Sequence, residues 1–331
     1  MKKIIPEKLK SGDQIRVIAP ARSAALLTKE NYDLAYERMQ REFGVRITFG
    51  EHHLEKDIFV SSSIEGRISD LHDAFADENV KMISTVIGGF NSNQLLKFID
   101  WELIQKTPKI FCGYSDITVL SNAIFAKTGL VTYSGPHFST FGQKEYIDYT
   151  IDYFKKCLFE SDEYRVEPSK EWLDDEWYKD QDNRIPISNE GYWVIRSGTA
   201  EGTIVGGNLS SLILLFGTEY MPDLNDSIVF LEVDNYTQGV DLLEFERQLQ
   251  SLLLQKGSDG IKGIVIGRFQ RGSKVTREQL RYVIETKQEL ENIPVIANVD
   301  FGHTNPMITF PVGGGCSLAV KNDTDFEITI L

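Results

Sequence analysis

Between residues 14 and 134 the chain alternates short apolar runs with stretches of helical periodicity, and that alternation restricts the fold more than any other feature. Residues 14 to 20 read as a strand, and residues 28 to 43 as a helix that Thr28 is placed to cap. The run from Val80 to Ile87 stops at Gly88 and Gly89, with a helix expected over 93 to 98. A third strand over 109 to 112 is followed by a helix over 117 to 126, and residues 130 to 134 suggest a further strand. Strand and helix in alternation imply a parallel sheet covered on both faces, whose ligands collect beyond the carboxyl ends of the strands. Gly89 and Ser115 both fall at such ends.

A chain of 331 residues can bury two cores, so two domains are expected. We place an α/β domain at 1–160, a connecting segment rich in aromatic and acidic residues at 161–190, and a β/α domain at 191–331. Within the last, an apolar segment over 202 to 208 is followed by strands expected over 227 to 233, 263 to 267 and 294 to 299, helices over 209 to 216 and 276 to 290, and a closing hairpin around residues 322 to 325. Lysine and arginine number 35 against 49 aspartates and glutamates, a balance of −14 that disfavours nucleic acid and anionic membranes as partners and leaves small molecules. Cys112, Cys157 and Cys316 are widely spaced and odd in number, which fits buried thiols better than a disulfide framework. No run approaches the roughly 20 apolar residues that span a bilayer, and the basic N-terminus lacks the apolar core of a signal peptide, so a cytoplasmic location is expected.

Ser115 stands where an apolar run ends at Gly113 and a helical pattern begins, the place a tight turn would push a hydroxyl outward as a nucleophile. A helix cap is the plainer explanation of a serine there, and the second glycine of the hydrolase elbow is missing. His303 lies between Gly302 and a Thr-Asn-Pro turn, where neither packing nor periodicity accounts for it; His137 is the reserve candidate for a base. Glu232, Asp234 and Glu201 are the carboxylates available to orient a histidine. Glu232 is preferred, because it closes the apolar run Ile228 to Leu231, shares a strand face with Phe230 and Ile228, and so needs a partner. The amides after Gly88 could cradle an anion, although no dinucleotide fingerprint is present, and no histidine or cysteine pair has the spacing of a metal site.

Together, Gly88 to Leu96, Gly113 to Asp116, Gly206 to Leu209, Phe230 to Glu232 and Gly302 to Pro306 resemble the LD-carboxypeptidase family of serine peptidases, with matching order and spacing along nearly the whole chain. The Gly-Gly-x-Asn-Ser-Asn form at 88 to 93 is similar to the branch that includes the microcin C immunity proteins. The resemblance implies a flavodoxin-like parallel-sheet domain joined to a β/α domain with the active site between them. It implies a triad of Ser115, His303 and Glu232, an oxyanion hole from the amides of Gly89 and Asp116, and substrate contacts from Asn91, Asn208 and Trp177, with Trp172 in reserve. It further implies a cytoplasmic homodimer without cofactor or metal, acting on a small peptide or an aminoacyl-nucleotide. A lysine expected shortly after the glutamate is replaced by Asp234, Asn235, Tyr236 and Thr237, which counts against nucleotide-linked substrates.

Two other readings compete. An α/β-hydrolase esterase has the same order of serine, acid and histidine but needs Gly-x-Ser-x-Gly and His-Gly-Gly elements that are absent. A ligand-binding module could keep the fold and do no chemistry.

Overall fold

The computed structural model describes residues 2–235 and 241–331, which form two large sheets with helices between and around them. In the first sheet, strands Arg46–Phe49, Gln14–Ile18, Val80–Thr85, Ile110–Cys112 and Thr132–Ser134 lie side by side in that order and run parallel. Chain order across the sheet is therefore second, first, third, fourth, fifth, the flavodoxin-like winding, which reverses between the first and third strands. The second sheet has a parallel centre of Gly198–Asn208, Ser227–Glu232, Ile261–Gly267 and Val295–Val299, flanked by antiparallel strands that include the hairpin Gly315–Asn322 and Asp325–Ile330. Two short strands cross the expected boundaries: Phe310–Val312 adds to the edge of the first sheet, and Tyr164–Arg165 to the edge of the second.

Local signals account for most of these elements. Helix Lys29–Phe43 starts where the Thr28 hydroxyl accepts from the Asn31 amide, ends at Gly44 in the left-handed region, and buries Ala35, Met39 and Phe43 at intervals of four. Helix Arg277–Glu285 opens on a full capping box between Thr276 and Gln279. It is shorter than the expected 276 to 290, and only a 3-10 turn, Gln288–Leu290, follows it. The helix expected over 93 to 98 is also no more than a 3-10 turn, Ser92–Leu95. The amides of Asn91 and Ser92 bond the Asp116 carboxylate, and Asp100 then caps a separate helix, Trp101–Lys106. Helices Ile64–Ala76, Asp148–Leu158 and Asp241–Leu253 lie outside the expectations, and their apolar stripes pack on the sheets.

Helix Thr118–Thr128 does most to join the two halves, because it is buried on nearly every side between the sheets. The Asn122 side chain donates to the carbonyl of Gly206 at 2.8 Å and accepts from its amide at 3.0 Å, as a neighbouring strand would. The Thr118 hydroxyl accepts from the Asn208 amide. Gly207, at φ 129°, leaves the space this approach requires, since a β-carbon there would lie 2.6 Å from the Thr118 hydroxyl. One apolar cluster accordingly runs from Phe111, Ile117 and Leu120 into Val205, Leu212 and Val229.

Candidate active site

The carboxyl ends of the two sheets face each other across a cleft of about 250 Å³. On the first sheet, Ser115 follows strand Ile110–Cys112 with φ 59°, a left-handed conformation that a residue with a side chain adopts only when its surroundings compel it. Its amide neighbours start a 3-10 turn, Ser115–Ile117, that runs into the buried helix. The serine is thus held on a sharp strand-to-helix corner without the usual second glycine. Gly88, just beyond strand Val80–Thr85, abuts it, and a β-carbon on Gly88 would stand 2.9 Å from the Ser115 β-carbon and 3.0 Å from its hydroxyl.

On the second sheet, Glu232 ends its strand beside Asn208, the last residue of the neighbouring strand, and His303 lies four residues beyond Val299. His303 Nδ1 is 2.7 Å from Glu232 Oε2, and its Nε2 is 3.1 Å from the Ser115 hydroxyl. The Asn208 side-chain nitrogen donates to the other Glu232 oxygen at 2.9 Å, while its side-chain oxygen accepts from the Ser211 amide. Gly302, at φ 97°, permits the close passage of this loop, because a β-carbon there would lie 2.6 Å from Glu232 Oε2.

Burial alone would depress the His303 pKa, but the charge and hydrogen bond of Glu232, with Asp234 Oδ2 3.4 Å from Nε2, outweigh it and hold the ring at about 9. His137 is the opposite case. Burial, with the positive fields of His303 and Arg22, drives it down to about 3, so it stays neutral. Its Nδ1 is 2.7 Å from the Thr85 hydroxyl, its Nε2 is buried without a hydrogen-bond partner, and the ring packs on Tyr114, which also contacts His303. Of the two histidines, His303 is the one in contact with the serine.

The remaining expected residues fall into two groups. Trp177 lines the cleft, within a wall formed by residues 174 to 178. Trp172 instead packs under the Arg268 guanidinium, 5.0 Å away. Asn91 and Asn208 are occupied inside the protein: the Asn91 side chain bonds Ser61, and Asn208 bonds Glu232 and Ser211. Asp116 turns its carboxylate inward to the amides of Asn91 and Ser92, and burial raises its pKa despite them. Gly89 packs on Ala21 and Arg22, directly after the glycine that touches Ser115. Val233 to Asn235, after the glutamate, carry no cation, and Tyr236 and Thr237 lie outside the described residues. The connecting segment is more than a tether, for Leu173 and Asn305 exchange backbone hydrogen bonds that tie the wall to the His303 loop. Arg22, Asp234 and Gln270 also line the cleft and were not expected there as a group. Their only sequence signal is position just past a strand end.

A serine in contact with a histidine that is itself held by a buried carboxylate, at the carboxyl ends of parallel strands, defines a serine-hydrolase-type site. Comparison with known proteins agrees: residues 15–135 match the LD-carboxypeptidase N-terminal domain and residues 201–318 the C-terminal domain. The chain belongs to the LD-carboxypeptidase family of serine peptidases, and it is an enzyme. It is 50% identical to the putative carboxypeptidase YocD of Bacillus subtilis over 96% of each chain. It is 31% identical to the microcin C7 self-immunity protein MccF of Escherichia coli over 98% of this chain and 94% of that one. An MccF-like protein from Bacillus anthracis has the same fold with a TM-score of 0.97 at 52% identity, each chain covered to 99%. MccF in complex with glutamyl sulfamoyl guanosine superposes with a TM-score of 0.87 at 30% identity, over 98% and 97%. Among the described residues no helix is long and apolar enough to cross a membrane, and no group of three potential metal ligands converges.

Proposed function

We propose that this enzyme hydrolyses an amide bond next to a free carboxylate, with Ser115 as nucleophile, His303 as base and then acid, and Glu232 holding the imidazole. The observation that carries this reading is the continuous line of hydrogen bonds from Glu232 through His303 to Ser115. In the first half-reaction the Ser115 oxygen attacks the scissile carbonyl and its proton passes to His303 Nε2. The negative oxygen of the tetrahedral intermediate is received by the amides of Gly89 and Asp116. His303 then delivers the proton to the departing amine, the C–N bond breaks, and the acyl group stays on Ser115. A water deprotonated by His303 releases it and regenerates the serine. Glu232 remains ionised throughout and stabilises the imidazolium. Asn208 acts through Glu232, fixing one carboxylate oxygen so that the other faces the ring.

The substrate classes are LD-peptides of the murein type, as relatives named murein peptide carboxypeptidases suggest, and the aminoacyl-nucleotide analogues bound by MccF. Trp177, on the cleft wall, is the stacking platform for a base in the second class. The enzyme is expected to act in the cytoplasm as a homodimer. A hydrolysis screen pairing an LD-linked tetrapeptide with an aspartyl sulfamoyl adenosine analogue tests the assignment and separates the classes. Turnover of at least one is expected, and Ser115→Ala should lower it by three orders of magnitude or more. Near-normal turnover by Ser115→Ala would refute the triad.

A further inference from the structure

In a doubly wound sheet the crevice for ligands opens where the winding reverses, here between strands Gln14–Ile18 and Val80–Thr85. Arg22 lies four residues beyond the first of these strands and Gly88 three beyond the second, and the two residues are joined: the Arg22 amide and its Nε both donate to the Gly88 carbonyl at 3.3 Å. Gly88 in turn abuts the Ser115 hydroxyl. The guanidinium, set over the Phe90 ring at 5.6 Å, is therefore fixed one residue away from the nucleophile and lines the same cleft.

Among the described residues Arg22 is the one lysine or arginine on the cleft lining, whereas four carboxylates share that lining. Three of the four are already matched elsewhere: Asp174 with Arg271, Asp175 with Arg184, and Glu176 with Lys179 and the Tyr178 hydroxyl. Arg22 spends its Nε on a carbonyl and, among the described residues, has no carboxylate within ion-pair reach, so both terminal nitrogens are free for an anion. A planar guanidinium presents them as a fork that fits a carboxylate.

We propose that Arg22 is the receptor for the free carboxylate of the substrate, and so the residue that makes this amidase a carboxypeptidase. The assignment rests on the function proposed above, and the test keeps the two apart. An LD-linked tetrapeptide and the same peptide with a C-terminal carboxamide are compared as substrates of the wild type, Arg22→Met and Arg22→Lys. Where turnover is too slow to follow, calorimetric binding of both peptides to Ser115→Ala and to Ser115→Ala/Arg22→Met gives the same comparison. The wild type should favour the acid, and Arg22→Met should lose about 10- to 100-fold in kcat/KM on the acid, the cost of charge-assisted hydrogen bonds, with a much smaller loss on the amide. Arg22→Lys should keep part of the preference. An acid-to-amide ratio unchanged in Arg22→Met, or equal losses on both peptides, would overturn the role of Arg22. Labelling of Ser115 by a fluorophosphonate reports on the nucleophile independently, so failure of the triad and failure of the receptor give different results.

Discussion

At the scale of single residues, His303 sets the expected pH response. A ring held at about 9 must lose its proton before it can accept one from Ser115, so kcat/KM should climb with an apparent pKa on the alkaline side of neutrality. Asp234 contributes to that elevation from 3.4 Å, and Asp234→Asn should shift the rising limb of the pH profile to lower pH with Ser115 and Glu232 intact. An unmoved limb would mean that Asp234 does not act on the ring. The same proton is linked to folding. Because the folded-state value lies above the ordinary 6.5, the stabilisation is complete below about 6.5 and is lost as the pH rises through 9. Thermal unfolding of the wild type should fall across that window, and His303→Asn should flatten the decline. Ser115, Glu232 and His303 could be nominated because each follows closely on an apolar run and the family resemblance groups them, although a cap, a surface acid or a solvated loop histidine would explain each one alone. Asp234 could be named only as an alternative to Glu232, and Arg22 could not be read at all, since what gives it meaning is a partner from a distant strand.

At the scale of elements, glycines let two loops approach the reacting atoms. Gly88→Ala would press a methyl group to within about 3 Å of the Ser115 hydroxyl, and misplacement of a reacting atom by about 1 Å can cost 10²-fold. The expected result is a large loss of kcat with a melting temperature near that of the wild type, measured by steady-state kinetics and calorimetry on one preparation. A variant that unfolds instead would assign Gly88 to the scaffold. Most of the parallel strands could be read from apolar runs, and helix Lys29–Phe43 from its periodicity and the Thr28 cap, whereas strand Arg46–Phe49 and helices Asp148–Leu158 and Asp241–Leu253 could not. The wall at 174 to 178 could not. Its order comes from the Leu173–Asn305 pairing and from Arg184 gripping Asp175, contacts that leave no local pattern in an acidic, aromatic stretch.

At the scale of the whole molecule, the strand that leads to His303 is anchored by an ion pair between Arg268 and Asp300, both side chains essentially without exposure. Asp300 also accepts from the Ser169 amide and hydroxyl and from the Tyr192 hydroxyl, so the linking segment closes on the same carboxylate. Arg268→Met would leave that charge buried with only neutral donors, and breaking such a pair costs about 3–5 kcal/mol. Chemical denaturation should report a loss of that order, and a change below about 1 kcal/mol would mean the site relaxes. Light scattering checks the homodimer that the family resemblance implies.

The splice of Asn122 onto the backbone of Gly206 has a consequence for biosynthesis. The hydroxyl emerges from the ribosome some 190 positions ahead of the imidazole, the separation between Ser115 and His303 being 188. Until His303 has been made and the helix behind the serine has clasped the strand carrying Gly206, the proposed nucleophile has no base beside it. On the proposed triad, hydrolytic competence therefore arrives only with the docking of the two halves.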